Sequence, residues 1–116
     1  MEEKIQELKE NLKDSQAYAA IIFGSYARNE EFNDIDVAVF TQTGVEDLVK
    51  KSDSIFDIQR FSELPMNIRH RVLKEGELIY CSDKDKYYDE TIRFAREYES
   101  FRHKYQEYLE GVKTRG

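Results

Sequence analysis

Three aspartates and one glycine–serine pair are the residues of this chain whose types and spacing suit chemistry. Asp34 and Asp36 stand two apart at the head of the run Asp34-Ile35-Asp36-Val37-Ala38-Val39-Phe40. On a strand both carboxylates project to one face, while Ile35, Val37 and Val39 project to the other. The acidic face continues through Ala38 and Phe40, so the strand passes from an exposed rim into a core. Neighbouring carboxylates repel, and a divalent cation between them removes the repulsion. Asp57 sits in a second such run, Ile55-Phe56-Asp57-Ile58, also flanked by apolar residues. Gly24-Ser25 closes the apolar run Ala19-Ala20-Ile21-Ile22-Phe23. There glycine permits close backbone approach, serine offers a hydroxyl, and the amides that follow open a helical turn suited to phosphate. Each piece is ordinary by itself: paired aspartates often mark a solvated strand edge, and Gly-Ser turns are common connectors. Their convergence points to metal-assisted chemistry on a phosphorylated substrate.

The elements that must position these residues follow from periodicity. Ile5, Leu8 and Leu12 recur at helical spacing and predict a first helix ending near Asp14-Ser15. The unbroken apolar run from Ala19 predicts a strand covered on both faces, and the polar stretch from Asn29 to Asn33 a turn into the strand that begins at Asp34. A short helix over 44–51, a strand over 55–61, a helix opened by Pro65 and closed by Gly76, and a strand from Leu78 to Cys81 come next. A long helix spans about 84–110. With the turn after Gly24 counted as helical, the order is α-β-α-β-α-β-α-β-α. This predicts an α+β, mixed α/β fold: a small mixed sheet of about four strands backed by helices. Residues 1–116 are expected to form one domain, with its core about 17–81.

Composition narrows the partners. The formal net charge of -6 is spread along the chain and disfavours nucleic acid as a partner. Cys81 is the single cysteine, which excludes an intrachain disulfide and fits a reducing compartment; a buried, inert thiol is expected. No stretch approaches the roughly 20 apolar residues of a membrane span, and Met1-Glu2-Glu3-Lys4 opens a charged helix, so a cytoplasmic protein is expected.

Gly24-Ser25-Tyr26-Ala27-Arg28, a short loop, Asp34-Ile35-Asp36-Val37 and then Asp57 together resemble the signature of the minimal nucleotidyltransferases (MNT) of the DNA polymerase β-like superfamily. The stretch from Leu64-Pro65 to Tyr80 resembles that family's helix-to-last-strand segment, so the likeness runs from Ile21 to Tyr80. One departure is Asn29, where the family has glycine; asparagine tolerates a positive φ and can preserve the turn. The resemblance implies a nucleotidyltransferase, polymerase β palm-like fold that moves NMP, with AMP from ATP assumed, onto a hydroxyl. It implies Asp34, Asp36 and Asp57 as catalytic ligands of two Mg2+ ions, with Asp57 also helping to remove the hydroxyl proton. Gly24 and Ser25 would hold the β- and γ-phosphates. It further implies an antitoxin paired with a HEPN ribonuclease toxin.

Other residues leave alternatives open. Arg28 suits phosphate or an ion pair with Glu30 or Glu31, with the ion pair slightly favoured. His70 and His103 are expected at the surface. The spacing of Arg96 and His103 matches the partner ribonucleases loosely, but strands and acids elsewhere argue against that assignment. The aromatic stripe Tyr98, Phe101, Tyr105 and Tyr108 of the last helix suits a toxin partner or a second copy, or a return against Ile5, Leu8 and Leu12. Two further functions stand beside protein nucleotidylation. One is a non-catalytic nucleotide- or metal-binding module that neutralises a partner; the other is antibiotic-type transfer to a small molecule, which lacks its usual second domain here.

Overall fold

The computed structural model describes the backbone of residues 1–115 and the side chains of residues 1–111. Four strands pair in the order β3-β2-β1-β4. Central β1 (Ala19–Phe23) is antiparallel to β2 (Ile35–Phe40) and to β4 (Glu77–Cys81), and β2 is parallel to β3 (Phe56–Arg60). The unbroken apolar character of β1 follows from this position, since Ala20 and Ile22 enter one core and Ala19 and Ile21 the other. On the first face α1 (Glu2–Lys13) and α2 (Glu46–Lys51) set Leu8, Leu12 and Leu48 against Ile35, Val37, Val39, Phe56 and Ile58. On the second, α3 (Met66–Glu75) and α4 (Lys84–Arg115) set Val72 and Phe94 against Ile21, Ala38, Phe40 and Phe61. Parallel pairing of β2 with β3 needs a crossover, and α2 supplies it.

Several expectations change. No helix separates β1 from β2; residues 25–29 make only a turn, so the two strands pair directly. A 3-10 turn over Phe61–Glu63 shortens the expected third strand and buries Phe61 in a stack on Phe40. Gly76 does end α3, but at φ -77 it needs no left-handed backbone; its requirement is space, because a Cβ would strike Ile21 Cγ2 and the Val72 carbonyl. Cys81 is half-buried, since β4 is an edge strand with only one neighbour. His70 is not at a free surface: it stacks on Tyr98 at 4.1 Å, joining α3 to α4.

The last helix does not return to α1, which lies across the sheet from it. Its first half is anchored by Phe94, by Tyr87 on Phe40, and by the Tyr18 hydroxyl, which donates to Glu90 Oε2. Beyond Tyr98 it leaves the body of the protein: Phe101, Tyr105 and Tyr108 are 52%, 55% and 65% exposed. At 1.5 Å per residue, 32 residues span about 48 Å. This projection raises the radius of gyration to 16.5 Å, where a compact chain of this length has about 13 Å.

Candidate active site at the carboxylate end of the sheet

The sheet register assembles the acids. Phe23 pairs with Asp36 across β1 and β2, and Asp36 pairs with Asp57 across β2 and β3. Directly paired residues point to one face, so Asp36 and Asp57 stand side by side at the same end of the sheet. Asp34 lies one alternation before Asp36, just outside β2, where the Ile35 amide donates to the Ile55 carbonyl at 2.8 Å and fixes the strand's entry. The three carboxylates grade outward: Asp36 is half-buried, while Asp34 and Asp57 are exposed. Gln59, two residues along β3, donates from Nε2 to Asp57 Oδ2 at 3.2 Å and orients it.

Gly24 forms the corner beside them. Its φ is +78, a conformation natural to glycine, and a Cβ there would collide with Asp36 Oδ2. Asn29 closes the turn at φ 58, the left-handed conformation expected of an asparagine at that position. The turn is held by the Arg28 amide on the Gly24 carbonyl at 3.1 Å, Asn29 on Tyr26 at 3.1 Å and Glu30 on Ser25 at 3.0 Å. These bonds leave the amides of Ser25, Tyr26 and Ala27 unspent within the turn. Arg28 makes the expected ion pair with Glu30, at 2.9 Å, and a second one with Glu75 of α3 at 3.4 Å.

A cleft of about 210 Å³ opens between this corner and α3, bounded by Gly24, Ser25, Arg28, Asp36, Arg71 and Glu75. Ligand pockets commonly measure about 300–1,000 Å³, so it suits a polyphosphate chain better than a whole nucleotide. Arg71 and Glu75 lie within the family-like stretch from Leu64 to Tyr80 but were not singled out as site residues. Their signal was the i, i+3, i+7 series Ile68, Arg71, Glu75, which places one face of α3 over the corner.

Electrostatics mark Asp36 as the stressed member. Burial pushes its carboxyl above the usual carboxylate range, the charges of Asp57 and Asp34 push it further, and Arg28 opposes them. Among the described residues, no three His, Cys, Asp or Glu side chains cluster closely enough to cage a metal ion. Magnesium seldom needs such a cage: it takes one or two carboxylates and draws its other ligands from water and substrate phosphates. Hard oxygen donors in register, repelling one another, are a donor set that fits it.

Compared with known proteins, the chain matches the family described as "Polymerase beta, Nucleotidyltransferase" over residues 3–85. That span holds every strand, the three aspartates and the glycine corner, and the chain therefore belongs to this nucleotidyltransferase family. "Putative protein adenylyltransferase MJ1547" of Methanocaldococcus jannaschii is 30% identical over 73 residues, a match spanning 57% of this chain and 57% of that protein. Solved structures share the fold. A chain from the crystal structure of a toxin-antitoxin with AMP-PNP superposes with a TM-score of 0.70 at 18% identity, covering 94% of this chain and 98% of that one. A chain from the tri-AMPylated Shewanella oneidensis HEPN toxin in complex with MNT antitoxin gives 0.66 at 18% identity, covering 97% and 98%.

Proposed function

We propose that the chain, acting as one domain, transfers AMP from ATP to a hydroxyl on a partner protein and serves as the antitoxin of a HEPN-type toxin. The observation that carries this reading is the in-register pair Asp36 and Asp57 beside a glycine corner that only a residue without a Cβ can form. Asp36, with Asp34 and Asp57 beside it, would hold magnesium together with water and substrate phosphates, and the metal would neutralise triphosphate charge and lower the pKa of the attacking hydroxyl. Ser25 and the unspent amides of its turn hold the β- and γ-phosphates beside Gly24, fixing the α-phosphorus for in-line attack. The acceptor oxygen bonds to that phosphorus as the α–β bridge breaks, and pyrophosphate leaves. Asp57, on the exposed edge strand and steadied by Gln59, faces the acceptor and takes its proton.

A protein acceptor is supported by the open site and by the projecting aromatic face of α4, which gives a partner a place to dock. ATP and the toxin–antitoxin role are supported by the fold shared with the AMP-PNP complex and with the complex of an AMPylated HEPN toxin. No helix among the described residues is long and apolar enough to cross a membrane, and the single cysteine suits the reducing cytoplasm. The α4 face alone also favours a second reading, in which binding neutralises the partner without transfer. Incubating the chain and its co-purified partner with magnesium and each α-labelled NTP separates the two. Label moving to the partner from ATP, and lost in Asp34→Asn, supports transfer. Stable binding without label supports neutralisation by occupancy.

A further inference from the structure

We propose that Arg71 of α3 binds the β- and γ-phosphates of the incoming nucleotide from the wall of the cleft opposite Ser25. The inference rests on the nucleotidyltransferase reading and names a residue that the motif does not contain. Two guanidinium groups line the cleft, and they differ in how their charge is used. Arg28 is held between Glu30 and Glu75. Arg71 is exposed at the cleft and makes no ion pair among the described residues.

The neighbouring cations of α3 are placed for other work. Arg69 is turned onto the Phe94 ring, 4.8 Å from its centroid, with its Nε buried in the packing against α4. Lys74 is exposed and does not line the cleft. Within a chain of net charge -6, Arg71 shares the lining of this cleft with Gly24 and Ser25 and has no ion pair among the described residues. It gives a polyphosphate a planar, multidentate donor at the point where Asp34, Asp36 and Asp57 would otherwise repel it. Ser25 on one wall and Arg71 on the other then hold the leaving pyrophosphate between them.

Calorimetric titration of the full chain with magnesium ATP, and separately with inorganic tripolyphosphate, tests this without any acceptor. Arg71→Ala is expected to raise both dissociation constants by the same factor, about ten- to hundredfold for a charge-assisted contact. Arg71→Lys retains part of the affinity, and Lys74→Ala stays within about twofold of wild type, at unchanged melting temperature. The proposal is overturned if Arg71→Ala binds tripolyphosphate as wild type does, or if Lys74→Ala loses as much, which would show a diffuse charge effect. Equal binding of both ligands by wild type and Arg71→Ala removes only this inference; wild-type protein that binds neither ligand removes the parent reading as well.

Discussion

Replacing Asp36 by Asn separates the effect of this carboxylate on stability from the metal-holding role proposed for it. The side chain is half-buried against Gly24 and faces Asp57 across the β2–β3 pair. Its pKa in the folded chain lies above the usual carboxylate value through burial and through the charges of Asp57 and Asp34. The folded state therefore holds this proton more tightly than the unfolded state does. The sign follows: stability is lost as pH rises from the unfolded carboxylate pKa through the raised folded value, and at neutral pH the ionised group opposes folding. Asparagine keeps the shape and removes the charge. Solvent-screened repulsion of this kind is worth on the order of 1 kcal/mol, or about 4 °C of melting temperature for a domain of this size. Melting curves should thus show Asp36→Asn equal to or up to about 4 °C above wild type at pH 7, with the difference closing towards pH 4. Magnesium should raise the wild-type midpoint and leave the variant's unchanged. Transfer should fall by about a thousandfold or more, since several kcal/mol of charge stabilisation go with the metal. A variant that melts well below wild type at pH 7, or that still responds to magnesium and transfers nucleotide, refutes the reasoning.

Other substitutions probe the frame. Gly24→Ala adds a Cβ in the path of Asp36 Oδ2 at a backbone with φ +78, and should cost about 1–3 kcal/mol in denaturant titration along with transfer. Gly76→Ala meets Ile21 and the Val72 carbonyl and should destabilise by a similar amount, about 1–3 kcal/mol, while the acids keep their places. Along α4 the cost should change abruptly. Phe94→Ala, in the core, should lose about 3–5 kcal/mol. Phe101→Ala, two turns on and exposed, should change stability by under about 0.5 kcal/mol yet weaken capture of the partner in a pull-down.

Much of this architecture was legible because local pattern and tertiary role agree. The unbroken apolar run of β1 is what a central strand needs, the alternation in β3 sets Asp57 and Gln59 opposite Phe56 and Ile58, and in β2 the face that Asp36 heads runs into the core at Ala38 and Phe40. Strand direction was not legible, since periodicity is the same read either way; the parallel β2–β3 pairing that aligns Asp36 with Asp57 depends on the crossover through α2. The turn after Gly24 has helical hydrogen bonding for only a single turn, so its sequence looks helical without making an element. Contacts between distant segments were hidden for the same reason. Glu75 meets Arg28 across 47 positions, and His70 stacks on Tyr98 only because α3 and α4 share a face. The end of α4 was legible as an aromatic stripe, but whether α1 could cover it depended on which face of the sheet each helix takes.

Intact-mass measurement of the proposed HEPN-type partner, before and after incubation with the chain, magnesium and ATP, decides whether adenylyl transfer occurs. A mass gain of one or more adenylyl groups on the partner is expected with the wild-type chain and none with Asp36→Asn. An unchanged partner mass with the wild-type chain, or the same gain with the variant, would contradict the proposed transfer.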